Sequence, residues 1–412
     1  MIARDEISRL GAAGRSRRLG VAFLFGLAAL CGCGSPDSSP PGRTSAAAEP
    51  GNRTEESATP IPQPDQAVSD DARERDLELG SAQKTDYLAL QASLRSALSQ
   101  ADPSIAAMAT YTDGTVTARD AASLLRALGS AAEGAVIFVP SDGLIDLTGH
   151  QRIEIPAGVT LASGRNVDRA KGALLFTNDP DATLFVAGAG SRVVGLDLMG
   201  PDPSPRSYQL ERLYQEGGSD LYYAVPASIG IYSEADDVLV ENCELWGWSN
   251  AAISLGPGAQ RARIRHCFIH HNQRLRLGYG VHLDQADALL EANLFDWYRH
   301  CVAGSGRDGT SYEARFNYVL PNASGHAFDM HGGVDRNDGT DLAGDSILIH
   351  HNIVEAAQFP AVVIRGRPTG RVAITDNQFR NPDPARTIVL QGGAEGVVDT
   401  GNRFGVSSMR AK

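Results

Sequence analysis

Basic residues are in deficit. With 37 Lys and Arg against 49 Asp and Glu, the formal net charge is −12, and no basic stripe runs along the chain, so nucleic acid is not an expected partner. Long apolar runs are also missing. The stretch from Leu19 to Leu30 is too short to cross a bilayer. Aromatic residues make up only 6% of the chain, and cysteine is scarce at five in 412 residues. Those five do not read as a full disulfide framework: Cys31 and Cys33 fall at the end of the N-terminal apolar stretch, and an odd three remain, Cys243, Cys267 and Cys301. Cys243 and Cys267 read as small buried residues instead. The length could hold two average domains, but a single solenoid can absorb it.

What is there is a repeat. Seven segments align, beginning at Gly230, Ala252, Gly280, Cys301, Ala327, Ala361 and Thr387, the fifth of them Ala-Phe-Asp-Met-His. Their second position is Ile231, Ile253, Val281, Val302, Phe328, Val362 and Ile388, apolar in every copy, as a core-facing column of stacked strands requires. The third and fifth positions then face outward and carry His282, Asp284, Asp329, His331 and Arg365.

A second pattern, apolar-x-apolar-x-x-(Asn or Cys)-x-apolar, places Cys243, Cys267, Asn293, Asn317, Asn352, Asn377 and Asn402 at its sixth position, at intervals of 24, 26, 24, 35, 25 and 25. A fixed period in the twenties with two strands per copy is a solenoid signature. The leucine framework of leucine-rich repeats is absent, and a parallel β-helix, which stacks like residues into columns, fits the pattern. The asparagines read as a turn ladder, since Asn tolerates the left-handed conformation and can bridge to its stacked copies. Nine of the ten histidines lie between 266 and 351. His266, His270, His271, His350 and His351 fall in this second pattern and are expected to cap coil corners.

The N-terminal part is organised differently. Arg15, Arg17 and Arg18 precede the apolar run, and Leu30-Cys31-Gly32-Cys33 follows it. That is an export signal whose end resembles a bacterial lipobox, with Cys33 as the lipidated residue and Cys31 an unusual neighbour. Gly34, rather than Asp, after the cysteine implies by that resemblance an outer-membrane lipoprotein, periplasmic or surface-exposed. The expected division is a signal over 1–32, a Pro/Ser-rich tether over 33–76 that cannot bury a core, a helical cap region over 77–133 and the repeat domain over 134–412. In the cap region, one helix is expected from Asp86 to about Gln100 and another from Asp120 to Ala132.

That second helix, then Val-Ile-Phe-Val-Pro from Val136, then Ile-Pro-Ala-Gly-Val-Thr-Leu from Ile155, resembles the start of proteins in the pectin lyase-like, right-handed parallel β-helix superfamily. The resemblance covers about Asp120 to Phe404. It implies an all-β right-handed solenoid with N-terminal helices covering its open end. It says less about activity, because the superfamily holds lyases, hydrolases, epimerases and binding proteins.

On strand spacing alone, His282 and Asp329 should lie about 9.6 Å apart at Cα across Ala303, and Asp284 and His331 likewise across Ser305. Arg365, one coil further, could hold a carboxylate with its planar fork. His282, Asp329, His331 and Arg365 are therefore the expected catalytic group. Tyr279, Arg299, His300, Arg307 and His326 are expected to contact substrate. Such a group suits β-elimination on a uronic-acid polysaccharide, which needs a base, charge neutralisation and an acid for the leaving oxygen. Glycoside hydrolysis is an alternative through Asp284 and Asp329, although the Asn-Thr-Asp, Gly-His-Gly and Arg-Ile-Lys motifs of polygalacturonases are missing; a non-catalytic glycan-binding protein is another. Asp284 and Asp329 are also the candidate ligands for a divalent cation such as calcium. A polysaccharide partner, a membrane contact through the lipid anchor only, and a monomer complete the expectation. The period breaks between Gly200 and Pro226, where a tyrosine-rich lateral loop is expected to lie against the His282 face.

Overall fold

A computed structural model describes residues 89–100, 102–202, 225–274 and 276–406. The signal, Cys33, the tether and Tyr208, Tyr214, Tyr222 and Tyr223 of the expected lateral loop lie outside them. The chain winds through three parallel sheets of eleven, nine and ten strands. One coil contributes a strand to each, for example Tyr279–Leu283, Asp287–Glu291 and Leu294–Asp296. This is the expected right-handed parallel β-helix, the hand that parallel strand crossovers take.

The register follows the sequence columns. Ile231 pairs with Ile253, Ile253 with Val281, Val281 with Val302, Val302 with Phe328, Phe328 with Val362 and Val362 with Ile388. The first six of these are buried and join a single continuous core, against which Ile388 packs half-buried. Each coil is too thin to bury its own apolar face, so the stacking of neighbours creates the core.

The asparagine column is a closed hydrogen-bond ladder. The Nδ2 groups of Asn293, Asn317, Asn352 and Asn377 each donate to the Oδ1 of the next asparagine at 2.9–3.0 Å. Each Nδ2 also donates to a main-chain carbonyl, that of Ile264, Leu290, Ala314 or Ile349. One detail differs from expectation. The left-handed residue is the one before the ladder position, Asn242, His266, Ala292, Phe316, His351 and Asp376, with φ between 54° and 57°. The asparagines need their amides aligned along the stack, and the turn is made by the residue in front even where that residue is Ala or Phe.

Of the helices, Ala121–Ser130 covers the end of the solenoid. Asp120 accepts from Ser123 N at 2.7 Å in a capping box, and Leu124 and Leu128 enter the core. The helix over 89–100 does something else. Leu94 and Leu98, with Ile105 of the short helix Pro103–Ala106, pack on Phe268, Leu294, Tyr318 and Leu320 along the side of the solenoid. The expected cap region also contains a strand, Val116–Thr117, which pairs with Val136–Phe138 and opens the eleven-stranded sheet.

Candidate functional site on the nine-stranded sheet

In the coils of the nine-stranded sheet two consecutive residues enter the core, Ala252 with Ile253 or Cys301 with Val302. The residues on either side of each pair face outward. One outward column runs Ala251, Tyr279, His300; the other runs Tyr232, Ser254, His282, Ala303, Asp329, Val363. The two columns stand side by side and bring the polar residues of four coils together.

Rings stack along the first column. Tyr279 lies 5.7 Å from His300 and His300 5.4 Å from His326, centroid to centroid, with planes within 22°. Tyr279 also stacks sideways on His282 at 5.6 Å. Arg299 caps this group: its guanidinium sits 5.8 Å from the Tyr279 ring centre and donates to the Tyr279 hydroxyl and to the Arg276 carbonyl.

Beside the stack, Asp329 is wholly buried although its position faces outward. Arg365 covers it from the next coil, Nε donating to Oδ1 at 2.9 Å and Nη2 to Oδ2 at 3.0 Å. His331 Nε2 stands 3.3 Å and His300 Nε2 3.5 Å from the same Oδ2, within ion-pair range but not aligned as hydrogen bonds. Asp335 braces the outer side, its Oδ2 lying 3.4 Å from His331 Nδ1 and 3.5 Å from Arg365 Nη1. His300 is oriented by its Nδ1, which donates to the His326 carbonyl at 2.8 Å.

His282 stands apart from this network. Its Nδ1 meets the Ser254 hydroxyl at 3.3 Å, and the ring is half-buried. Two residues on, Asp284 has one oxygen 3.4 Å from Arg307 Nη1; the other, Oδ1, is buried without a hydrogen-bond partner.

Burial by itself would raise the Asp329 carboxyl, but the electrostatic pull of the neighbouring His300, His331 and Arg365 outweighs it and holds the group well below the usual carboxylate range. Burial also pushes His300 well below its ordinary value, with Asp329 opposing. His300 is therefore uncharged near neutral pH, and Arg365 is the counter-charge that persists. Burial lowers Arg365, but the Asp329 carboxylate and, behind it, Asp335 together outweigh it and raise the guanidinium. His326 is pushed down by burial, and His282 is pushed down to about 4 by burial against the pull of Asp284. Near neutral pH His282 is thus a neutral base with an accessible face.

Two expectations are corrected. Arg365 does not present a free fork to a ligand carboxylate, because the carboxylate it holds is Asp329. The candidate metal ligands do not fit either: Asp329 is enclosed by Arg365 and two imidazoles, and Asp284 faces Arg307, whereas calcium needs six to eight oxygen ligands. Among the described residues no group of three or more His, Cys, Asp or Glu is placed to hold a metal ion. Tyr279, Arg299, His300 and His326 form one stacked group, of which Tyr279 lies against His282. Ser254 and Asp335 were missed. Ser254 occupies the His282 column, and Asp335 opens an acidic loop, but neither signal reveals which imidazole the side chain reaches.

No known family profile matches the chain, and no characterised protein matches it in sequence. Among solved structures, the chain is similar to the catalytic unit of an α-1,3-glucanase from Streptomyces thermodiastaticus strain HF3-3, at 14% identity and a TM-score of 0.41 over 72% of this chain and 59% of that one. It is similar to an alginate lyase from Paenibacillus sp. str. FPU-7 at 12% identity and 0.39, over 71% and 99%. A pectate lyase follows at 13% and 0.40, over 70% and 72%. The chain spans 59% of the length of the glucanase unit, and the likeness to all three is one of fold.

Proposed function

We propose that the outer face of the nine-stranded sheet binds an acidic polysaccharide and cleaves it by β-elimination, with His282 as the base. The observation that carries this reading is His282 itself: a neutral imidazole on an accessible outward position, oriented through Nδ1 by Ser254 and held against Tyr279. With Nδ1 committed to the Ser254 hydroxyl, Nε2 takes the proton next to the substrate carboxylate. Arg299 neutralises that carboxylate; it stands over Tyr279 and has no carboxylate partner among the described residues. His331 delivers a proton to the departing oxygen. Hydrolysis is less well supported, because a general acid must hold a proton near neutral pH and Asp329 is kept ionised.

The test offers a panel of uronic-acid polysaccharides and follows the ultraviolet absorbance of the unsaturated product. His282→Ala should lower turnover by about 10²–10⁴-fold, the usual share of a general base, with the melting temperature nearly unchanged. New reducing ends without the absorbance would favour a hydrolase. Binding without any cleavage would favour the non-catalytic reading. The same proposal places the protein at the outer membrane, held through a lipid on Cys33, with 33–76 as its tether.

A further inference from the structure

The columns that carry His282 continue toward the N-terminal end of the solenoid. Two coils back from His282, in the same outward column, stands Tyr232. By strand spacing the two lie about 9.6 Å apart, the reach of a short oligosaccharide rather than of one ring. Tyr232 is held in place. Its hydroxyl donates to Glu234 Oε1, and its ring lies across Gly256, where a methyl group would overlap the hydroxyl and Cζ. Burial and the Glu234 carboxylate keep the phenol protonated, and Asp284 is close enough to add to the effect.

Two groups around Tyr232 have unmet bonding capacity. Arg152, exposed at the start of Ile153–Ile155, places its guanidinium 5.9 Å from the Tyr232 ring centre and forms no ion pair among the described residues. At that distance it flanks the ring. Asp284 Oδ1, on the coil next to Gly256, is buried and lacks a donor. A buried carboxylate oxygen without a donor is a costly feature unless something supplies one. An immobilised aromatic ring, an unpaired cation beside it and an acceptor without a donor match the three chemical features of an acidic pyranose: an apolar ring face, a carboxylate and hydroxyl donors.

We infer that Arg152, Tyr232, Glu234 and Asp284 form a second sugar subsite for an anionic pyranose, centred on Tyr232 two coils N-terminal to His282 and bounded on the His282 side by Asp284. The inference rests on the acidic-polysaccharide reading of the His282 site and deepens it. Gly256 is the residue that makes room for the ring. The subsite gives the enzyme a preference for chains long enough to span both positions and sets the direction in which the polysaccharide lies, along the solenoid axis.

The test uses the full chain carrying His282→Ala, so that substrate is not consumed, and measures calorimetric binding of polygalacturonate and alginate oligomers of increasing length, with neutral glucan oligomers as controls. The longer acidic oligomers are expected to bind roughly tenfold tighter than the dimers. That gain should vanish in Arg152→Ala, Tyr232→Ala and Gly256→Ala while dimer binding is retained. Gly256→Ala keeps every polar group but displaces the Tyr232 ring with its hydroxyl and crowds Glu234, and retained dimer binding certifies folding in each variant. Length-dependent binding that the three variants leave unchanged would overturn the subsite and spare the reading of the His282 site. Binding of neutral oligomers in place of acidic ones, or of no oligomer at all, would overturn both.

Discussion

Asp329 and Arg365, 36 residues apart in the chain, meet through two parallel hydrogen bonds of 2.9 and 3.0 Å between neighbouring coils. The carboxylate is wholly buried, and the guanidinium is its persistent counter-charge. Removing Arg365 would strand a buried charge beside His300, which burial keeps neutral. Arg365→Ala should therefore cost about 3 kcal/mol of stability, read from urea denaturation, with Arg365→Lys intermediate because it keeps the charge but loses the fork. A loss below about 0.5 kcal/mol would show that the pair is not structural.

Stability should fall as the pH drops from 6.5 toward 4. His266 and His282 are both pushed down to about 4, mainly by burial, and His300 and His326 move the same way. Depressed imidazoles bind protons in the unfolded chain before the folded one, so their contribution is complete above about 6.5 and is lost as the pH falls through the folded values. For His266 the difference is at most about 3 kcal/mol; His282, being partly accessible, contributes less. Asp329, also depressed, acts only below the ordinary carboxylate range. His266→Asn preserves the left-handed turn and should flatten the decline by about one proton, measured as the slope of unfolding free energy against pH.

The asparagine ladder should be far more sensitive in its middle than at its end. Asn352 accepts from the main chain and the amide of Asn317 and donates to Ala314 and Asn377. Asn352→Ala leaves several buried groups unpaired and should cost about 2–4 kcal/mol. Asn402 lies in the partly exposed last coil, and the same change there should cost under about 1 kcal/mol. Activity per folded molecule should be unchanged in both.

Cells fed a palmitate analogue should label the protein, and Cys33→Ala should abolish the label and release the protein from the membrane fraction. Retention of the label in that variant would remove the case for anchoring at this cysteine.

Much of this structure can be read in the sequence, because stacking turns one physical requirement into a repeated residue choice. The column from Ile231 to Ile388 is legible because each copy faces the same core. The asparagine column is legible because each amide bonds to its own kind. The left-handed residue was placed one position late, since the turn residues before the asparagines share no side-chain type. At the site, the sequence indicates that Asp329 and Arg365 face outward on adjacent coils but not that they close on each other, which depends on the reach of one side chain across a strand spacing. Nor does the apolar stripe of Leu94 and Leu98 say which surface it covers.

That lateral helix has a consequence for how the protein is made. Gln91 donates to the His266 carbonyl across 175 residues, and the apolar partners Phe268, Leu294 and Tyr318 come later still. The segment that leaves the ribosome early has no surface to settle on until most of the coils exist. It therefore joins only after those coils have stacked, and until then its leucines stay exposed.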